Sequence, residues 1–497
     1  MQNILSVDNM RKSDAAAIRN SVSSKELMLR AGKAIFENVE WKEPVAIVCG
    51  SGNNAGDGYV LAMLLNEAAI NCEIFLLSDK FSEDGRHYYD ICAQRGISVK
   101  TFKHATSFEE YNTVVDCIFG TGFHGELPPL QKAAVTAINN SNAYVVSVDI
   151  NSGLNGDSGM CEMCVRSDLT VSIGGYKPGH FLNMAKDNIK HKVNCDIGIS
   201  PVESPYRLFE ASDCKKALKK RKNFSNKSTY GYIALIGGSK KYSGAIRLAN
   251  TAACAVRCGA GVVTVAAPES ICDLIIPQIL ESTLYPVPDN NGEMIFNKDS
   301  IDGLIEKYKC IAIGMGIGVS DDTKEILEYI LENYKGRLII DADALTCLAQ
   351  INDETIKNSD CKIIITPHNK EFSRLTGLSV EQILNNPVKA AKEYAKKYGV
   401  SVLLKGPSTI ITDGKTVNIA EKGCAAMATA GSGDVLSGVI AALCGYNDDV
   451  LLAASAGAFI NGCAGETASA ETNEISMAAS DTARAITKVI SDLMHTE

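Results

Sequence analysis

Two glycines within three residues, followed at once by a carboxylate, mark the stretch Thr429-Ala-Gly-Ser-Gly-Asp-Val-Leu-Ser-Gly438. Glycine lets a backbone come close to a ligand, and the apolar residues 435–443 read as the start of a buried helix. Bare amides at a helix N-terminus carry about half a positive charge. Gly431 to Asp434 are therefore a candidate cradle for a phosphate in transfer, with Asp434 beside the reacting centre as a base. The competing structural reading is that Ser432 or Asp434 merely caps the helix. The catalytic reading also carries a tension, because a helix N-terminus favours the carboxylate and weakens it as a base. Desolvation in a closed site must offset that.

Related groups recur through the C-terminal half. Gly314-Met-Gly316-Ile-Gly318, Asp341-Ala-Asp343, Thr366-Pro-His368 and Lys405-Gly406 each follow an apolar run. Set along one sheet edge with Gly431 to Asp434, they supply the amides, acids, His and Lys that phosphoryl transfer needs. The triplet Gly414-Lys-Thr416 lacks the glycine required at 409 for a P-loop and reads as a turn.

The N-terminal half has three polar loops of its own. Gly50-Ser-Gly-Asn-Asn-Ala-Gly56-Asp57-Gly58 departs from the dinucleotide fingerprint spacing, while the amides of Asn53 and Asn54 suit a polar ligand or a monovalent cation. Asp116 begins a second loop that runs through Gly120 to Glu126, and Val148-Asp149-Ile-Asn-Ser-Gly153 forms a third. Polar loops at successive strand ends point to a ligand site.

The elements that must position these loops are legible as alternation. Residues 1–45 read as helical, with Asp14 near the start of a helix. Strands follow at 44–50, 72–77, 113–119, 143–150 and 169–173, with a helix at 56–69. The C-terminal half repeats the pattern, with a strand from 231, a helix at 245–258, and strands at 262–266, 310–314, 337–341, 361–366, 401–404 and 409–412. Alternation of this kind implies parallel sheets covered on both faces, with ligands at the C-terminal strand ends. The basic residues between Ala211 and Tyr230, from Lys215 to Lys227, read as the junction.

A chain of 497 residues fits two domains, and 46% hydrophobic with 22% charged residues is ordinary globular composition. A net charge of −9 gives no support for nucleic acid as a partner. The start lacks a signal-peptide pattern and the apolar residues 450–464 are too short and small to span a bilayer, so a soluble, cytoplasmic protein is expected. The 17 cysteines, among them Cys72, Cys117, Cys254, Cys310 and Cys347, read as reduced thiols in apolar runs. Cys161-x-x-Cys164 lacks a second pair or a His at zinc spacing.

With these motifs in place, the first half resembles the NAD(P)H-hydrate epimerase domain. The resemblance rests on Leu27-Met28, Ala31-Gly32, Asn53 to Asp57, the Asp116 loop, Asp149 and Lys177-Pro178-Gly179. It implies a potassium site from Asn54, Asp116 and Ser152, and proton transfer by Asp149. It also implies contacts to the hydrated nucleotide from Asn53, Asn54, Ala55, Gly56 and Asp57 and from Gly120, Thr121, Gly122, Phe123, His124, Gly125 and Glu126. The family usually has Pro where this chain has Asn151, which leaves that loop less constrained.

The second half resembles the ribokinase-like superfamily and, within it, the NAD(P)H-hydrate dehydratase domain. The most specific pieces are Gly237-Gly238-Ser239, Ser243-Gly244-Ala245, Asp341-Ala-Asp-Ala-Leu345, Thr366-Pro-His368 and the stretch from Ala426 to Gly438. The resemblance implies that Ala245, Gly316, His368 and Asp434 face the hydrated nucleotide. Lys405, Gly406, Pro407, Ser408, Thr409 and Gly433 would face ADP. Asn369-Lys370 stands where the family commonly has Pro-Gly.

The expectation is an α/β chain with a Rossmann-like three-layer sandwich over residues 1–211 and a ribokinase-like three-layer sandwich over 225–497. By resemblance it is a homo-oligomeric enzyme of nicotinamide nucleotide repair. It would epimerise R and S NADHX or NADPHX and dehydrate the S form with ADP and Mg²⁺, releasing AMP and phosphate, with K⁺ in the epimerase domain. The alternative is a ribokinase-like small-molecule kinase fused to a non-catalytic binding module.

Overall fold

A computed structural model of the chain describes residues 2–20, 22–253 and 255–495, and Cys254 lies outside them. The chain divides into two compact units, one spanning Asn3–Tyr206 and the other comprising the chain from Arg207 onward together with Gln2.

In the first unit, helices Val7–Arg19 and Ser24–Glu37 occupy the segment expected to be helical. Each starts where a serine hydroxyl accepts an amide, Ser6 from Asn9 and Ser23 from Glu26. Asp14 falls in the middle of the first helix, not at its start. Seven parallel strands follow in the order Ser98–Thr101, Cys72–Leu76, Val45–Cys49, Thr113–Cys117, Tyr144–Val148, Ser167–Ile173, Ile189–Cys195. Val45–Cys49 and Thr113–Cys117 are buried at every position, as strands covered on both faces must be. The edge strands Ser98–Thr101 and Ile189–Cys195, absent from the sequence reading, carry exposed positions and so show no continuous apolar run. The helix Asn53–Glu67 begins before the expected Gly56, which puts Asn53 and Asn54 in its first turn.

In the second unit, parallel strands run in the order Ser401–Leu404, Lys362–Ile365, Arg337–Ile340, Cys310–Ile313, Tyr232–Ile236, Val262–Pro268, Thr283–Val287. Thr409–Thr412 and Val417–Ala420 continue antiparallel from Ser401–Leu404, and Gly414 to Thr416 lie in the turn between them. Helix Ser432–Tyr446 is buried from Val435 to Gly445 and packs on Ser243–Ala253 and Val450–Glu471. A Cβ at Gly438 would stand 2.1 Å from the Ala249 carbonyl oxygen, so only glycine permits that helix approach. Among the described residues, no helix is long and apolar enough to cross a membrane. Cys72, Cys117, Cys310 and Cys347 are free and buried.

Each parallel sheet has one place where the strand order reverses. It lies between Val45–Cys49 and Thr113–Cys117 in the first unit, and between Tyr232–Ile236 and Cys310–Ile313 in the second. Crevices for ligands form at such points, at the carboxyl ends of the strands.

Candidate active sites

At the first reversal lies a cleft of about 640 Å³ lined by Asn53, Asn54, Asp57, Gly120, Thr121, Gly122, Phe123, His124 and Asp149. Arg11, Asp14 and Lys177 line it as well. Ala55 and Gly56 are buried and do not line it; a Cβ on Gly56 would meet Met28 at 2.5 Å. Gly125 and Glu126 are exposed and also fall outside the lining. Phe119 and Phe123 stack at 4.7 Å and stiffen the rim.

Asp149 follows the strand Tyr144–Val148 in a left-handed backbone conformation, φ 64°, unusual for a residue with a side chain. Its Oδ1 accepts from Lys177 Nζ at 2.5 Å and its Oδ2 from the Thr121 amide at 3.4 Å. The Lys177 side chain is fully buried and also donates to the Ile173 carbonyl at 2.9 Å. His180 Nδ1 accepts from the Lys177 amide at 2.9 Å, so Nε2 carries the proton it donates to the Asp149 carbonyl at 2.7 Å. Burial holds His180 neutral, down to about 4, with the Lys177 charge adding to the effect.

The carboxyls of the cleft are driven apart. Burial pushes Asp149 up, but the Lys177 ammonium, by charge and hydrogen bond, more than offsets it and leaves this carboxyl below its ordinary value. Asp57 is raised well above the usual range by burial and then by the charges of Asp149 and Asp14. Asp14 is pushed up to about 6, mainly by burial, with Lys177 opposing. An ionised Asp149 facing protonatable Asp57 and Asp14 is a base–acid set suited to moving a proton on a bound ring. Asp14 and Lys177 carry no role in the sequence reading: Asp14 is one polar position on a helix, and Lys177 enters only as part of Lys177-Pro178-Gly179.

Asn54, Asp116 and Ser152 come together below the cleft. Asp116 is fully buried, and its oxygens accept from Ser152 Oγ at 2.5 Å, the Ser152 amide at 2.8 Å, Ser147 Oγ at 2.9 Å and the Ile118 amide at 3.2 Å. Burial raises its pKa against those hydrogen bonds. The Phe119 carbonyl accepts from Asn54 Nδ2 at 3.0 Å and from Ser152 Oγ at 3.2 Å. Asn54 Oδ1 is buried with no hydrogen-bond partner. Asn151, in the place of a proline, is fully buried and donates from Nδ2 to the Val165 and Asn188 carbonyls and to Ser167 Oγ. Its Oδ1 accepts from Thr170 Oγ1 at 2.6 Å. Hydrogen bonds here supply the constraint that a ring would impose.

The second site is assembled at the second reversal and along the neighbouring strand ends. Asp341 caps the strand Arg337–Ile340, is almost fully buried, and accepts from Lys405 Nζ at 2.9 Å and Ser437 Oγ at 2.6 Å. Burial raises Asp341, yet the Lys405 charge and these hydrogen bonds hold it below its ordinary value. Lys405 Nζ also stands 3.9 Å from Glu371 and 3.4 Å from where a Cβ of Gly433 would be. Gly406 and Pro407 are exposed in the turn to Thr409, while Ser408 is buried. Gly316, at φ 69°, leaves no room for a side chain: a Cβ would lie 2.9 Å from Ala245 Cβ and 2.6 Å from the Tyr242 carbonyl. His368 Nδ1 accepts the amides of Lys370 and Glu371, so this imidazole caps the helix Asn369–Thr376, with Nε2 3.5 Å from Glu371 Oε1. Glu371 in return accepts the His368 amide at 2.8 Å, a capping box that Asn369-Lys370 does not disturb.

Asp434 sits in the first turn of Ser432–Tyr446. Gly431, at φ 92°, occupies the cap position and no side chain caps the helix. Ser432 Oγ is buried without a hydrogen-bond partner. The capping reading of Ser432 and Asp434 therefore fails. Burial, and after it the fixed negative charge of Asp341, pushes Asp434 up to about 7, with Lys405 opposing. Burial thus outweighs the pull of the helix end and leaves a carboxyl able to exchange a proton near neutral pH.

A family model described as "NAD(P)H-hydrate dehydratase" matches residues 233–488. A second, described as "YjeF-related protein N-terminus", matches residues 24–179. The bifunctional NAD(P)H-hydrate repair enzyme Nnr of Moorella thermoacetica is 31% identical over 487 residues, 93% of this chain and 91% of that protein. The Coxiella burnetii enzyme of the same name is also 31% identical, over 95% of this chain and 96% of its own. The crystal structure of ADP/ATP-dependent NAD(P)H-hydrate dehydratase from Bacillus subtilis, co-crystallised with ATP/Mg²⁺, superposes with a TM-score of 0.51 at 27% identity. It covers 57% of this chain and 98% of that one. With one family model spanning half the chain and relatives matched along nearly their whole length, the chain belongs to the bifunctional NAD(P)H-hydrate repair enzymes.

Proposed function

We propose that the two sites carry out successive steps of nicotinamide nucleotide repair. The first interconverts the R and S hydrates of NADH and NADPH, and the second dehydrates the S form. The observation that carries the reading is that one chain holds two acid-containing clusters, each at the reversal point of its own parallel sheet. In the first, Asp149 is the base and Asp57 the acid, with Lys177 holding Asp149 in place and Asp14 sharing the proton-rich wall. In the second, Asp434 takes the proton of the ring hydroxyl as the phosphoryl group arrives from ADP. The unpaired amides of Gly431 and Gly433 and the Ser432 hydroxyl receive the transferred phosphate, which then leaves with the ring oxygen.

The orphaned Asn54 Oδ1, beside the Phe119 carbonyl, Ser152 and Asp116, fits a monovalent cation such as K⁺ held on oxygens. Bound there, K⁺ would supply a fixed positive charge at the floor of the cleft. Mg²⁺ fits as a companion of the nucleotide: among the described residues there is no group of three or more His, Cys, Asp or Glu to cage it. Held largely through phosphate oxygens, it needs none. Its role would be to neutralise phosphate charge.

The test is incubation of mixed NADH-hydrate epimers with ADP or ATP and Mg²⁺, followed at the NADH absorbance. Complete conversion is expected. Stalling once the S fraction is consumed removes the epimerase assignment, and no conversion with either nucleotide removes the dehydratase assignment.

A further inference from the structure

The sulfurs of Cys161 and Cys164 stand 3.3 Å apart in a short irregular turn, and their environments differ. Cys161 is partly exposed, Cys164 is 4% exposed, and the intervening Glu162 and Met163 project into solvent. Two other thiol pairs, Cys49 with Cys117 and Cys310 with Cys444, are fully buried on sheet and helix, where no reagent reaches them. The Cys161–Cys164 turn also lies directly against the loop of the first site. A Cβ on Gly153 would come within 2.2 Å of the Met163 carbonyl oxygen, Val165 donates its amide to the Ser152 carbonyl at 3.0 Å, and Asn151 donates to the Val165 carbonyl at 2.8 Å.

We propose that Cys161 and Cys164 form a redox-active dithiol that closes to an intramolecular disulfide by exchange with a low-molecular-weight disulfide such as oxidised glutathione. The Cys161 thiolate attacks one sulfur of the small disulfide, its S–S bond breaks, and one small thiolate leaves. Cys164, losing its proton, attacks the Cys161 sulfur of the mixed disulfide and expels the second small thiolate. Two protein thiols are oxidised, one small disulfide is reduced to two thiols, and the two protons end on those thiols. The order of attack follows from exposure: Cys161 is partly exposed and within reach of a small disulfide, whereas Cys164 is buried behind it. Their contact acts in the same sense, lowering Cys161 and raising Cys164. The disulfide would tighten the turn on which Ser152 and Asn151 lean, so the oxidation state reaches the floor of the cleft.

The experiment exposes the full-length protein at neutral pH to oxidised glutathione, quenches with acid, alkylates after unfolding and analyses the peptides by mass. The peptide holding Cys161 and Cys164 should lose two hydrogens and resist alkylation, while those of Cys49, Cys117, Cys310 and Cys444 alkylate in full. In Cys164→Ser, a glutathione mixed disulfide should accumulate on Cys161, at a rate about ten-fold or more above that on Cys164 in Cys161→Ser. A wild-type peptide that stays reduced in excess oxidised glutathione overturns the proposal, as does equal or preferential labelling of Cys164.

Discussion

The two sites solve one electrostatic problem in different ways. In each, a lysine pins an aspartate in its ionised form, and that fixed charge, with burial, raises a neighbouring carboxyl: Lys177–Asp149 raises Asp57, and Lys405–Asp341 raises Asp434. In the first site the pinned aspartate itself faces the cleft. In the second the pinned aspartate is 2% exposed in its side chain and Asp434, partly exposed, stands in the first turn of a helix. The first thus presents an anion flanked by proton donors, and the second a single base beside bare amides. A lysine–aspartate pair at a strand end can therefore be either the working group or the hidden charge that tunes it.

The sharpest way to break this comparison is to neutralise one working group at a time. Asp434→Asn should lower dehydration by about 10²–10⁴-fold with epimerisation intact, and Asp149→Asn should do the reverse. Assays of NADH formation from pure S hydrate, and of R-to-S exchange without nucleotide, separate the two. Loss of both activities from either change contradicts two independent sites.

Removing the pinning cation comes next. Lys177→Met leaves Asp149 uncompensated beside a fully buried position and should cost about 3–5 kcal/mol in denaturant unfolding of the first unit. Lys405, 21% exposed, is partly relieved by water, so Lys405→Met should cost less. Equal losses would mean that the two pairs do not differ as burial implies.

How much of this could be read from sequence divides along the same line. Glycines with an acid at the end of an apolar run flagged the Asp434, Asp149 and Asn53–Asp57 loops, because local turn and helix-start chemistry leaves a local trace. The pairings leave none. Lys177 stands in sequence only as part of Lys177-Pro178-Gly179, Asp14 reads as one polar position on a helix, and Asp341 and Lys405 read as separate strand-end groups until the sheet brings them together with Ser437. The strand Ser98–Thr101 escaped because it is largely exposed, and Val417–Ala420 because Asn418 interrupts its apolar run. Asn151 looked like a loosened loop, and only its four hydrogen bonds reveal the opposite. Asn151→Ala should accordingly cost about 1–3 kcal/mol in unfolding experiments and weaken epimerisation more than dehydration.

The smallest effect sharpens the tuning argument. With Asp434 pushed up to about 7, its base form is lost as pH falls, so dehydration should rise with pH along a limb centred near 7. Because Lys405 holds Asp434 down, Lys405→Met should move that limb to higher pH, readable in kcat against pH. A limb unmoved by Lys405→Met would assign it to another group.

Both sites also share a helix that starts on a glycine. Ser6, Ser23, Ser82, Asn297 and Ser320 cap their helices with a side chain, but the helices Asn53–Glu67 and Ser432–Tyr446 begin at Gly52 and Gly431 with no side-chain cap. Amides of their first turns, those of Asn53 and Asn54 in one and of Gly433 and Asp434 in the other, have no backbone partner and are left for an arriving anion. A nucleotide that binds there completes two long, largely buried helices as well as being consumed, and by mass action it draws the chain toward the folded state. Resistance to unfolding then follows the supply of substrate, and the ligand-free enzyme is the form most open to proteolysis.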